Sequence, residues 1–167
     1  CWRMASDLLI RPATLADLPE VARLAAQLVR AHHAYDPRRF LCIEPVEVGY
    51  ARWFAQELDN ADAVVLVAER GGAIIGYAYG VLEPRDWNNL LDAHGGLHDV
   101  LVTEAARGTG AGAALVEGVC ARLAAMGAPR VVLHSAAQNV AAQRLFARLG
   151  FRTTMVEMTR EMGPAVE

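Results

Sequence analysis

The chain has no lysine; all sixteen of its basic residues are arginine. That absence excludes a Walker A loop, whose lysine must reach the nucleotide phosphates. It also excludes Schiff-base and pyridoxal-phosphate chemistry, which need a lysine amine. Cysteine is scarce and odd in number: Cys1, Cys42 and Cys120. The three form neither a CxxC pair nor a disulfide framework, so a reducing cytoplasm is the expected compartment. No apolar run approaches the ~20 residues that span a bilayer; the longest, Ala63–Ala68 and Ala73–Leu82, are strand-sized. Positive charge is not in excess. The net charge of −3 argues against a nucleic-acid partner, whose binding surface is usually basic. The start, Cys1-Trp2-Arg3-Met4, lacks the layout of a signal peptide, and Met4 is the expected natural start.

What is present is a globular composition. The 167 residues are 54% hydrophobic and 21% charged, which suits one domain with a full core and no need of a metal or disulfide. The Ala, Arg and Gly bias is that of a GC-rich genome, and a bacterial source is the expectation.

Periodicity predicts the elements. Leu8–Arg11 reads as a strand ended by Pro12. Pro19 opens a helix with Val21, Leu24, Ala25 and Leu28 at helical spacing, closed near Tyr35-Asp36-Pro37. A second helix runs from Glu47 to Leu58, with Tyr50, Trp53, Phe54 and Leu58 on one stripe and Trp53 expected in the core. Ala63–Glu69 and Ala73–Leu82 form a hairpin around Gly71-Gly72. Residues 83–96 read as a polar connection, and His98–Val102 as a strand. Ala111–Met126 is a helix, Val131–His134 a strand, and Asn139–Leu149 a helix capped by Gly150. Phe151–Arg160 is the expected last strand. The order β-α-α-β-β-β-α-β-α-β is an α/β (α+β) mixture.

The most informative stretch is Val102-Thr103-Glu104-Ala105-Ala106-Arg107-Gly108-Thr109-Gly110-Ala111-Gly112, a glycine-rich loop between a strand and a helix. Glycines let backbone approach a ligand, and a helix N-terminus adds free N–H groups and partial positive charge. Together they make a pyrophosphate cradle that needs no lysine. A dinucleotide fingerprint fits poorly. Thr103–Arg107 separate the glycines from the strand, and residues 130–135, where an acidic ribose ligand is expected, hold no Asp or Glu.

Arg107-Gly108-Thr109-Gly110-Ala111-Gly112 resembles the R/Q-x-x-G-x-G/A loop of the GCN5-related N-acetyltransferases (GNAT). Downstream, Asn139-x-x-Ala142-x-x-x-Phe146-x-x-x-Gly150-Phe151 resembles the family's second signature. Leu8-Ile10-Arg11-Pro12-Ala13 with Asp17-Leu18 resembles its opening strand and helix. The resemblance covers residues 8–162 as a single domain, leaving 1–7 and 163–167 as extensions. It implies a central mixed, twisted sheet of about six to seven strands with flanking helices.

It further implies an acyltransferase that moves an acetyl group from acetyl-CoA to an amine through a tetrahedral intermediate, with no metal. Acetyl-CoA would lie between two splayed strands. Its pantetheine would run along Val100 and Val102, with the N–H near Val100 on the thioester carbonyl. Its pyrophosphate would sit on Arg107, Gly108, Thr109, Gly110, Ala111 and Gly112. Asn139 would meet the pantetheine or cap its helix. Phe146 departs from the family pattern, which often has a tyrosine there to protonate the leaving thiolate. An acyl-CoA-binding or regulatory module on the same fold is therefore the alternative. Dimers are frequent in the family, so a homodimer is an expectation from the resemblance alone.

The attacking amine must lose a proton, and His98 and Asp99 are both candidates for the base. Imidazole suits proton transfer near neutrality; a carboxylate needs its pKa raised, or a bridging water. Strand alternation would put the two on opposite faces. The segments that bound the acceptor pocket in the family hold His32, His33, Tyr35, Asp36, Glu44, Glu47, Glu83, Asp86, Trp87 and His94. Tyr35, Asp36 and Trp87 are the expected acceptor contacts, aromatic and acidic groups that suit an amine. Cys120, mid-helix among apolar residues, is expected to be buried and inert.

Overall fold

The computed structural model describes residues 7–163; Cys1 and Met4 lie outside them. Five strands form one sheet in the order β1-β2-β3-β4-β5, namely β1 (Leu8–Pro12), β2 (Ala63–Arg70), β3 (Ala73–Glu83), β4 (His94–Val102) and β5 (Val131–Leu133). The first three pairings are antiparallel and the β4–β5 pairing is parallel. The hairpin joining β2 and β3 turns on Gly71 and Gly72, at φ +58° and +78°, the positive-φ pair that a two-residue turn between twisted strands requires.

Both faces of the sheet are covered, so β2 and β3 read as continuous apolar runs rather than alternating ones. Helices α1 (Leu18–Tyr35) and α2 (Val46–Leu58) cover one face, where Val21, Leu24, Phe54, Val65, Val67, Tyr77 and Tyr79 make one core. Helices α3 (Ala111–Ala125) and α4 (Val140–Arg148) cover the other, where Leu66, Ala78, Leu97, Leu115, Val119 and Leu123 make a second. Trp53 does not join the first core as expected. It stays 37% exposed and sets its ring edge-on to Tyr79.

Three expectations are corrected. The fourth strand begins at His94, because Gly95 and Gly96 are small enough to pack under Leu123 and against Glu83 and extend the ladder. The sheet has five strands among the described residues, not six or seven. Phe151–Arg160 is not a strand. Its sequence has β character, but a strand exists only through a partner, and β5 keeps just three residues in its ladder with β4. Residues 152–162 run exposed, held at one point by the ion pair of Arg39 with Glu157.

Candidate functional site

The glycine-rich loop closes on itself before it enters α3. Thr103–Ala106 form a short turn, and the Thr109 hydroxyl donates to the Ala106 carbonyl at 2.6 Å. Gly108 and Gly110 take φ +72° and +90°, and a Cβ at either would meet nothing within 4 Å. Their requirement is therefore backbone conformation and an open approach, not packing. Gly110 is the N-cap of α3, and the first helical hydrogen bond runs from Ala114 N–H to Gly110 O. The N–H groups of Ala111, Gly112 and Ala113 thus have no acceptor inside the helix. This is a site shaped for phosphate oxygens.

The sheet opens beside that loop. β4 and β5 pair only at Gly95–Val131, Gly96–Val132 and Leu97–Leu133, then part. A bulge in β4 coincides with the parting: Tyr79 faces Asp99 and Gly80 faces Leu97, leaving His98 as the extra residue. The bulge also redirects the backbone. Gly95 N–H points toward β5, donating to Arg130 O at 2.9 Å, whereas Thr103 N–H points toward β3, donating to Ile75 O at 2.8 Å. Strict alternation would turn two odd-numbered amides the same way; the extra residue switches the parity. Counting back from Thr103, the amides of Val100 and Val102 face the gap where β5 has moved away.

The same bulge corrects the expectation that His98 and Asp99 lie on opposite faces. Both point to the α1/α2 side. The Tyr77 hydroxyl donates to Asp99 Oδ2 at 2.9 Å, and the His98 ring stacks on Tyr79 at 5.7 Å between centroids. His98 Nε2 sits 2.7 Å from Glu83 Oε1. A carboxylate only accepts, so Nε2 carries the proton and Nδ1 is the basic nitrogen. The pair fits because residue 96 is glycine: a Cβ there would lie 2.7 Å from His98 Nε2. Asp99 is half-buried, and its partial removal from water pushes its carboxyl above the usual range against the opposing pull of Tyr77, His98 and His32. Tyr79 donates to Glu57 at 2.6 Å, and burial with that carboxylate raises its phenol.

The cleft at the parting is lined by His32 from α1, His98 and Val100 from β4, His134 and Ser135 after β5, and Asn139 and Phe146 from the α4 segment. Asn139 caps α4, accepting from Ala142 N–H at 3.2 Å, and also faces the cleft. Phe146 packs edge-on to Phe151 at 5.9 Å and presents only carbon. A larger cavity, about 390 Å³, lies a helix length from the cradle at the other end of α3, lined by Leu58, Arg122 and Met126. It shares no residue with the cleft.

The expected acceptor residues are not brought together. Tyr35 closes α1 with its ring edge-on to His32. Asp36 is spent on the following turn, accepting from the amides of Arg38 and Arg39. Trp87 stands 74% exposed on an outlying turn, under the Arg85 guanidinium, and does not line the cleft. Glu44 and Glu47 are both held by Arg30, which fixes the loop between α1 and α2. Tyr77, Tyr79, Glu57 and His134 also come to the site, and no motif in the sequence marks them. The i, i+2 spacing of the two tyrosines on a strand was the available signal for them. Cys120 is half-buried, and burial raises its thiol. Among the described residues no group of three His, Cys, Asp or Glu is placed to hold a metal, and no helix is long and apolar enough to cross a membrane.

Comparison with known proteins gives the class to which this parted sheet and glycine-capped helix belong. The acetyltransferase (GNAT) family model matches residues 26–151. An uncharacterized N-acetyltransferase of Mycobacterium tuberculosis is 31% identical over 141 residues, covering 83% of this chain and 85% of that protein. The chain belongs to the GNAT family and is a GNAT N-acetyltransferase. A mutant of the BH1408 protein from Bacillus halodurans superposes with TM-score 0.79 at 25% identity, over 92% of this chain and 99% of the other. Aminoglycoside N-acetyltransferase AAC(6')-Iy, solved in complex with CoA, superposes with TM-score 0.78 over 98% and 100%. At 19% identity that likeness is one of fold.

Proposed function

We propose that this enzyme transfers the acetyl group of acetyl-CoA directly to an amine, through a tetrahedral intermediate and without an acyl-enzyme. The observation that carries this reading is the opening of the sheet between Leu97/Leu133 and the glycine cradle. The pyrophosphate rests on the amides from Gly108 to Ala113, with Arg107 beside it. The pantetheine takes the place of the missing strand, bonding the free backbone of Val100 and Val102. The Val100 amide then faces the thioester oxygen. A fixed donor aimed where negative charge grows is worth ~3 kcal/mol in comparable enzymes.

The amine approaches from the α1/α2 side and gives its proton to Nδ1 of His98. Glu83 holds the tautomer and orientation, and the neighbouring charge of Asp99 favours the imidazolium that forms. Glu57, Glu83, Tyr79 and Trp53 surround that approach with carboxylates and aromatic faces, which attract an ammonium before it is deprotonated. Collapse of the intermediate releases the CoA thiolate and the N-acetyl product.

Phe146 favours a second reading, a module that binds acetyl-CoA without turning it over. One experiment separates them. The protein is incubated with acetyl-CoA and a panel of primary amines (polyamines, amino sugars, amino acids and short peptides), and free thiol and acetylated product mass are followed. Thiol release with a matching mass gain of one acetyl group supports the transferase. CoA binding without thiol release supports the module. Failure to bind CoA sinks both.

A further inference from the structure

We infer that His134 is the proton donor to the sulfur of departing CoA. The inference rests on the transferase reading, which puts the thioester at the point where β4 and β5 part. His134 is the first residue after β5, directly beyond the last paired position, Leu97–Leu133. It lines the same cleft as Val100 and Phe146. On that reading, a thioester whose carbonyl oxygen meets the Val100 amide lies in the cleft that this imidazole lines.

The other groups around the cleft are committed elsewhere. His98 Nε2 is bound to Glu83, and its free nitrogen faces the amine. His32 stands on α1, across the cleft from β5, and its Nδ1–H goes to the Leu28 carbonyl at 2.8 Å. The Ser135 hydroxyl turns to the Ala136 carbonyl at 3.5 Å. Phe146 has no proton to give. Among the described residues, no protein group hydrogen-bonds the His134 ring, which is exposed to the cleft. Arg39 holds the Glu157 carboxyl below its usual range, and His134 lies near enough to Glu157 to add a small pull in the same direction. The charged and titratable groups around His134 are therefore Glu157, itself paired with Arg39, on the outer side, and His98 and His32 across the cleft.

The step balances simply. As the tetrahedral intermediate collapses, the C–S bond breaks and its electron pair stays on sulfur. The His134 imidazolium passes its N–H proton to that sulfur, leaving free CoA thiol and neutral imidazole, which regains a proton from solvent.

The test uses CoA itself. The thiol of protein-bound CoA is titrated by thiolate absorbance in the parent and in His134→Gln. An imidazolium beside the sulfur depresses its titration by about 1–3 units, and the variant returns it toward the ordinary thiol value of ~8.5. The variant also loses about 10²-fold in kcat with the best amine of the panel, with KM for acetyl-CoA nearly unchanged. Adding Phe146→Tyr to it restores at least tenfold of that loss, because the new hydroxyl enters the same cleft. A bound thiol that titrates alike in parent and variant overturns the assignment while the transferase reading stands. Thiol release by no amine in the parent overturns both.

Discussion

The Tyr77 hydroxyl holds Asp99 by a 2.9 Å bond across two adjacent strands, and it is the one protein hydrogen bond that this half-buried carboxylate receives among the described residues. A single donor does not offset removal from water, so burial dominates and the carboxyl titrates above its ordinary range. A raised carboxyl pKa means that the native state disfavours the charge. The penalty is in full force above the native-state value and disappears as pH falls toward the unfolded value near 3.9. Asp99→Asn is therefore expected to raise Tm at pH 7–8, with the gap closing in acid. The same change removes negative charge beside His98 and lowers kcat by less than about tenfold, whereas His98→Gln costs about 10²-fold. Melting curves at several pH values, with kcat for both variants, check this. An Asn variant less stable than the parent at pH 8 contradicts it.

The cradle gives a prediction on binding alone. Gly110 sits at φ +90° with open space where a side chain would go, directly over the expected phosphate position. Gly110→Glu puts a carboxylate there and strains the cap. CoA affinity should fall at least tenfold, about 1.4 kcal/mol, with the far-UV CD spectrum retained. Calorimetry that finds the parent affinity in a folded variant refutes the cradle.

A part-buried ion pair, Arg11 with Asp17, supports stability near β1. Asp17 takes two bonds from the Arg11 guanidinium at 2.7 and 2.9 Å, and both the amide and the hydroxyl of Thr14 donate to it. Arg11 also binds Glu69 on β2. Arg11 holds the Asp17 carboxyl well below the usual carboxylate range. A depressed pKa gives stability that is complete above about pH 4 and is lost as pH falls through the native value. Asp17→Asn should cost roughly 2–3 kcal/mol at pH 7, and the difference should already be shrinking at pH 3, below the unfolded carboxyl value of ~3.9. Denaturant melts at pH 7 and pH 3 measure it; a loss that does not depend on pH would assign the effect to packing.

What the sequence made legible was local. The glycine loop, the Gly71-Gly72 turn, the stripe of α1 and the Asn139 cap are each set by a few neighbouring residues, and each appears where its spacing places it. The misses are all questions of partnership. Phe151–Arg160 has strand chemistry but no ladder to join. The β4 bulge is a property of two strands in register, invisible in His98-Asp99 by itself, so strict alternation misplaced one of the two side chains. Asp36, Glu44 and Glu47 have the charge for an amine pocket, but arginines and turn amides occupy them. Tyr77, Tyr79, Glu83 and His134 come to the site from separate elements, and no short motif joins them.

Two glycines on adjacent strands separate chemistry from packing. At Gly96 a Cβ would lie 2.7 Å from His98 Nε2 and 3.1 Å from Glu83 Cγ, both the ends of flexible side chains. Its effect is to push the imidazole off its carboxylate while the fold absorbs the change. At Gly80 a Cβ would lie 2.9 Å from the Gly96 carbonyl and 2.6 Å from Val119 Cγ1 in the α3 core, where neither neighbour can move freely. Gly96→Ala should therefore keep its Tm within a few degrees and its CoA affinity intact, yet lose about 10²-fold in kcat, as His98→Gln does. Combining the two changes should add little, since both disable one base. Gly80→Ala should instead lose about 1–3 kcal/mol of stability and retain near-parental kcat in whatever fraction is folded. Melting temperatures and kcat for the three variants test the assignment. Full additivity of Gly96→Ala with His98→Gln would show that residue 96 acts on the reaction by some route other than the His98–Glu83 pair.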